Sequence, residues 1–347
     1  MDIQNHFYGH SAALALAAGL RRPRHIQGIL QHGWTTASPA LVLAHDFPHV
    51  GVDPRWPVLA WSHSARGWSP EKEIRRSVAV GSPFLYLAQE ARKAGWSPST
   101  SGRSLWIPFH GTRLVKVRGD HAGLAREAFE REGACTVCLH VEDADDPAIV
   151  GAWTSAGHEL VTAGPRRDPD FLARILNLVG GARRVVSNRL STAVMYAAAV
   201  GKEVAVYGPP LAFTGDEVHS VDQIRDLWPE FHGETTVTEA TTASAEAELG
   251  SAHLLAPPEL RAALGWNRAL STRSASYYWL GSSVRKAAAA LGVTGRTDDS
   301  AFTVASVTPR SFLRHPLSHL PAPLPRRLPS VPDLAAPIPV RAPTPAG

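Results

Sequence analysis

The stretch that most constrains this chain runs from Arg183 to Pro210, RRVVSNRLSTAVMYAAAVGKEVAVYGPP. Val185 and Val186 form a short apolar run that stops at the polar pair Ser187-Asn188. From Ser191 and Thr192 through Val200 the Ala- and Met-rich composition predicts a helix, with Gly201 as its stop. Glu203 to Tyr207 predict a second strand, broken by Gly208-Pro209-Pro210. Strand, polar turn, helix and strand make one βαβ unit of a parallel sheet, with the polar turn at the carboxyl end of its first strand. Open α/β sheets bind their ligands at that edge. The unpaired N–H groups that begin the helix favour an anion such as a pyrophosphate at the same place.

A chain of 347 residues is long for one core and comfortable for two α/β domains. Its formal net charge is +4 with 19% charged residues, and no Lys/Arg stripe is interleaved with aromatics, so nucleic acid is not an expected partner. Cys135 and Cys138 are the only cysteines. They lack the other two ligands of a structural zinc site, and ACTVCLHV reads as a strand, where positions i and i+3 face opposite ways. With no disulfide framework, no basic run leading an apolar leader and no apolar stretch near membrane-spanning length, the expectation is a cytoplasmic protein without a membrane span.

Taken in order, residues 1–98 predict a first α/β domain. Its strands are expected at Ile26–Leu30, Val50–Val52, Val58–Trp61 and Ser77–Val80, most of them ending in a polar or Gly-containing turn, and the run Gly81 to Leu87 follows with a helix through about Ala94. Residues 99–104 close the Ser/Gly-rich run GWSPSTSGRS and read as a linker. Residues 105–292 predict a second α/β domain, opening with a strand Leu105–Phe109 that ends at His110-Gly111. A helix capped by Asp120 follows, then the strand Cys135–Val141, an acidic loop (Glu142, Asp143, Asp145, Asp146), a helix Ile149–Ser155 and a strand within 157–162. Asp168-Pro169 predicts the cap and first residue of a helix that buries Phe171, Leu172, Ile175, Leu176 and Val179. Helices at 220–228, 240–249, 258–266 and 277–291 complete this domain or lean back over the first. Residues 293–315 form an undefined extension. Residues 316–347 hold ten prolines and are expected to be a disordered Pro-rich tail.

The passage from Asp168 through Pro210, centred on SNRLSTAVMYAAAVGKEVAVYG, resembles the sugar-nucleotide-binding half of bacterial two-domain GT-B glycosyltransferases of the capsular and cell-surface polysaccharide kind. Pro258-Glu259-Leu260 with Leu264-Gly265-Trp266 is similar to that half's closing helix. Gln31-His32-Gly33, Ser82 to Tyr86 and Phe109-His110-Gly111 are similar to loops lining the interdomain cleft. The resemblance implies two Rossmann-like domains facing a cleft. It implies a sugar moved from a nucleoside-diphosphate sugar to a hydroxyl acceptor, with no tightly bound cofactor and no metal. An epimerase or isomerase of nucleotide sugars, or an inactive scaffold of the same fold, are the alternatives.

That reading gives Ser187, Asn188, Arg189, Ser191 and Thr192 the donor diphosphate; otherwise Ser187 and Asn188 only turn the chain and Ser191 only caps the helix. His32, His63 and His110, each at the end of an expected strand, are candidates for the base that takes the acceptor's proton; otherwise each is bonded into its loop. The acidic loop either holds a divalent ion or is a solvated turn. His6 and His10 lie four apart without a carboxylate partner, so no metal is assigned to them.

Overall fold

The computed structural model describes residues 2–46, 56–72, 76–111, 117–209, 211–213, 221–267, 275–281, 284, 310, 314, 323–331 and 333–341. The expected strand at 50–52, most of the helix expected at 277–291 and most of 293–315 lie outside the described residues.

Short apolar runs build two parallel sheets, giving a mixed α/β fold. In the first, β1 (Ile29–Leu30), β2 (Val58–Ala60) and β3 (Ser77–Ala79) lie in that order, all parallel. The second contains β4 (Leu105–Trp106), β6 (Thr136–Leu139), β7 (Glu159–Thr162), β8 (Val185–Ser187) and β9 (Val204–Val206). Their spatial order is β7-β6-β4-β8-β9, parallel throughout. The chain order therefore reverses between β4 and β8, which is the switch point of a doubly wound sheet. A small antiparallel ribbon pairs β5 (Val117–Arg118) with β10 (Ala212–Phe213).

Eleven helices are named here: α1 (His10–Ala17), α2 (Pro39–Asp46), α3 (Pro83–Lys93), α4 (His121–Glu132), α5 (Val141–Ala144), α6 (Pro147–Ser155), α7 (Phe171–Gly181), α8 (Thr192–Ala199), α9 (Val221–Leu227), α10 (Thr238–Leu249) and α11 (Pro257–Ala263). Period-two alternation sorts the second sheet's residues onto two faces. Trp106, Val137, Leu139 and Val186 pack with Leu124 and Ala128 of α4 and Val150 and Trp153 of α6. Leu105, Cys138, Val185 and Val204 pack with Leu176 and Val179 of α7 and Val194 of α8. The two cysteines follow the same rule: Cys135 joins the first cluster and Cys138 the second. Burial pushes both thiols up to about 12, so both remain protonated at neutral pH. Ser82 accepts the Phe84 N–H at 3.3 Å and Pro83 opens α3, as a capped helix start requires.

The core does not stop at the expected linker. Trp61, Phe84 and Leu87 share one buried cluster with α7 and α8, and the Phe84 ring stacks on Tyr196 at 4.1 Å. Residues 95–104 are held down: Ser99 N–H donates to Gly180 O at 2.8 Å, and the Lys202 ammonium donates to the carbonyls of Ser99 and Ala182. α10 and α11 lean back on the first sheet. Ser82 N–H donates to Leu249 O at 2.8 Å, Ser62 Oγ to Ala247 O at 2.6 Å, and Leu260, Leu264 and Trp266 share a core with Leu14, Leu30 and Leu59.

The expectation of a disordered tail is corrected over residues 323–331 and 333–341. Ile338–Pro339 forms β11, antiparallel to β7 at its free edge, and Val340 N–H donates to Leu160 O at 2.9 Å. Asn177 Nδ2 donates to the carbonyls of Leu334 and Ala335 at 3.2 and 3.1 Å. Arg327 pairs with Asp168 at 3.1 Å and Asp170 at 2.5 Å. Leu328, Val331, Leu334 and Val340 each pack on an existing core. A Pro-rich segment without periodicity makes no core of its own. An extended one loses less chain entropy on docking, however, and an open strand edge offers it unpaired backbone groups.

Two local expectations also change. Asp168 is not the cap of α7, whose cap position is Asp170. Its carboxylate accepts Asp170 N–H at 3.0 Å and pairs with Arg174 at 2.9 Å. The acidic loop contains the single turn of α5, and Asp146 caps α6 by accepting Ala148 N–H at 2.9 Å.

Candidate ligand-binding cleft

At the carboxyl ends of β4, β6 and β8 lies a cavity of about 440 Å3. Its floor is the segments that leave those strands: Ile107 to His110, Cys138 to Val141, and Arg189 to Ala193. Its opposite wall comes from the start of the chain and from the segment after β1, through Tyr8, His10 and His32 to Thr36. A second cavity of about 400 Å3, at the ends of β8 and β9, includes Asn188, Tyr207, Arg225 and His232. Arg189 and Ile224 line both.

The turn after β8 is built by division of labour. Ser187 is fully buried, and its Oγ accepts the Arg189 N–H at 3.3 Å, tightening the turn. Asn188 spans the switch point: its Oδ1 accepts Phe109 N–H at 2.8 Å and its Nδ2 donates to Pro209 O at 3.2 Å. Those two carboxamide atoms join the loops after β4, β8 and β9. Arg189 is 5% exposed and lays its guanidinium over the Phe109 ring at 4.3 Å. Ser191 occupies the cap position of α8 without a capping bond, and its buried Oγ meets no hydrogen-bond partner among the described residues. Thr192 Oγ1 accepts Trp34 N–H at 2.9 Å, tying the far wall to the start of α8. Trp34 Nε1–H in turn donates to Glu248 Oε2 at 2.8 Å, and Glu248 also receives Trp228 Nε1–H at 2.9 Å and Arg66 N–H at 2.9 Å.

Of the three histidines expected at strand ends, two reach the cavity. His32 stacks against Tyr8 with centroids 6.4 Å apart. Burial, followed by the Arg166 charge, pulls its pKa down to about 4. His110 stacks face to face on His140 at 4.3 Å. Its Nδ1 lies 2.8 Å from Gly111 O. A carbonyl only accepts, so Nδ1 carries the proton and Nε2 keeps its lone pair. Burial also lowers the His110 pKa, and holds His10 and His140 at about 3. At neutral pH this group of imidazoles is uncharged, because burial resists their protonation.

His63 is the correction. After Trp61 the chain doubles back, so that the His63 ring stacks on Trp68 at 4.7 Å and its Nε2 meets Ser77 Oγ at 2.8 Å. Ser77 aligns with Val58, at the amino end of the first sheet. His63 is therefore outside both cavities. Neither a protein-family model nor a curated protein matches the chain.

Tyr8, Trp34 and His140 line the cavity and were not singled out from the sequence, and His10, weighed there only as a metal ligand, lines it too. The expected strand Cys135–Val141 enclosed His140, whereas β6 ends at Leu139 and leaves His140 in the turn that follows. Tyr8 had a weaker signal, the dense run His6-Phe7-Tyr8-Gly9-His10. Its backbone is left-handed at φ +56, rare and costly for an aromatic residue. The following Gly9 is also left-handed, and a Cβ there would sit 2.6 Å from Pro169 O. The pair turns the chain into α1 and sets the Tyr8 ring edge-on to Phe171 at 5.1 Å. Among the described residues no three His, Cys, Asp or Glu side chains gather as metal ligands, and no helix is long and apolar enough to cross a membrane.

Proposed function

We propose that the cleft binds a nucleoside-diphosphate sugar and transfers its sugar to a hydroxyl acceptor. The observation that carries this reading is the position of Arg189, buried at the switch point and shared by two adjoining cavities beside the start of α8. A diphosphate there meets the guanidinium, the Ser191 hydroxyl and the first amides of α8, which have no intrahelical partner. The nucleoside then occupies the smaller cavity, and the sugar and acceptor occupy the larger, aromatic-walled one. The acceptor oxygen attacks the anomeric carbon, and the bond from that carbon to the diphosphate breaks. The electron pair leaves with the nucleoside diphosphate, and the proton passes to a neutral imidazole, His32 or Nε2 of His110.

An imidazole with a pKa near 4, as for His32, is a poor base on its own. A bound diphosphate favours its protonated form and raises its basicity once the donor is in place. An epimerase would need carboxylates in the same cavity, and no Asp or Glu is among its described lining residues.

The test is a panel of nucleoside diphosphates, screened by thermal shift and followed by titration of the parent, Arg189→Ala and Ser191→Ala. One or more diphosphates should raise the melting temperature of the parent by mass action. Arg189→Ala should weaken binding by roughly ten- to a hundredfold, the value of a charge-assisted contact. Ser191→Ala should weaken binding without lowering stability, since its hydroxyl makes no hydrogen bond among the described residues. A panel with no stabilising diphosphate, or both variants binding as the parent does, removes the reading.

A further inference from the structure

A third cavity, about 710 Å3, lies where the loop after α1, the turn after α11 and the C-terminal segment meet. Its lining includes Arg21, Arg22, Arg24 and Arg326 together with Trp279, and no Asp or Glu is among its described lining residues. All four arginines are exposed. Arg24 is held at the rim, where its Nη1 donates to Trp266 O at 3.1 Å. Arg261 adds a cation nearby, donating to Ala18 O at 2.7 Å.

The segment that brings Trp279 to this cavity exposes apolar side chains. Trp279 is 45% exposed, Leu280 69% and Val284 66%. Three of the seven exposed large hydrophobics among the described residues thus fall within six consecutive positions. Scattered single exposures need no explanation, whereas a cluster beside one sign of charge does.

We propose that this corner docks the protein on an anionic membrane surface. Arginines reach the lipid phosphates, the indole of Trp279 sits at headgroup level, and Leu280 and Val284 enter the acyl boundary. A soluble polyanion accounts for the arginines but leaves Leu280 and Val284 without a role. A nucleic acid accounts for arginines and one stacking indole, but not for two exposed aliphatic chains. This proposal does not rest on the function assigned to the cleft.

The experiment is vesicle co-sedimentation of the full chain, comparing pure phosphatidylcholine with an equal mixture of phosphatidylcholine and phosphatidylglycerol. The parent should bind the mixed vesicles, release them at high salt and ignore the neutral ones. Each of Arg21→Gln, Arg22→Gln and Arg326→Gln should lower partitioning about fivefold, and the triple variant roughly a hundredfold. Trp279→Ala with Leu280→Ser should also lower it, with charge unchanged. Melting temperatures of all variants check that they fold, which is expected because the altered side chains are exposed. Absence of binding to the mixed vesicles, or equal binding by the triple variant, overturns the proposal. So does an apolar variant that binds vesicles like the parent, or a polyuridine RNA or tripolyphosphate that competes fully with them.

Discussion

Within the turn after β8, neighbouring side chains have different tasks, and single substitutions separate them. Asn188→Ala takes from the half-buried Phe109 N–H the acceptor Asn188 supplies. It should therefore cost about 1–3 kcal/mol of stability, read as a lower denaturant midpoint. A midpoint equal to the parent's would mean that the carboxamide does not hold the loops together. The buried imidazoles make the second prediction at this scale. His10 and His140 are held near 3 and His32 near 4 by burial, against an unfolded value of about 6.5. Below that value the unfolded chain takes up protons that the native state refuses. Stability should thus be full near neutral pH, fall from about pH 6.5 towards 4, and level off near 3. Asp143, raised to about 6 chiefly by burial, acts in the opposite direction between its two values but is one group against three. Melts at neutral and mildly acidic pH test the sign, and His10→Asn should flatten the dependence. The candidate bases were legible only in part because a strand's end can be read from its periodicity. The direction in which the chain then turns depends on distant packing, and that is why His32 and His110 reached the cavity and His63 did not.

At the scale of elements, most strands and helices of the second sheet were legible, since parallel strands buried on both faces read as apolar runs and their helices carry clear stops. What was hidden is how α10 ends. Gly250 has φ +77, and a Cβ there would lie 2.0 Å from Trp61 O. The helix end is pressed directly against the first sheet's backbone. Gly250→Ala should therefore destabilise by more than the roughly 1 kcal/mol of an ordinary left-handed position, because backbone must also move. Thermal melts of Gly250→Ala against Gly201→Ala, also left-handed but with open space around it, isolate the effect of the close approach. Equal losses in the two would argue against that contact. The start of α7 was displaced for a related reason: the Asp168 carboxylate serves Arg174 and Arg327, and no local pattern announces a partner so far along the chain.

For the whole molecule, the C-terminal segment is the largest departure from what composition suggested. A proline-rich run is a sound sign that no helix or independent core will form, but it says nothing about docking onto an edge that another part of the chain supplies. Truncation after His315 removes β11, the bonds from Asn177 and both Arg327 pairs. It should lower the melting temperature by roughly 5 °C or more, taking several such contacts as a loss of a few kcal/mol. An unchanged melting temperature would show that the segment adds nothing to the fold.

β11 has one more consequence, which concerns synthesis. The edge of β7 is closed by Ile338 and Pro339, which follow every other strand of the second sheet in the chain. Until they emerge, a nascent chain with an otherwise finished second sheet carries a row of unpaired backbone donors and acceptors, the kind of surface that recruits other strands. Chains arrested shortly before residue 338 should therefore associate or engage chaperones more readily than the released protein, and a peptide spanning residues 333–341 supplied in trans should suppress that association.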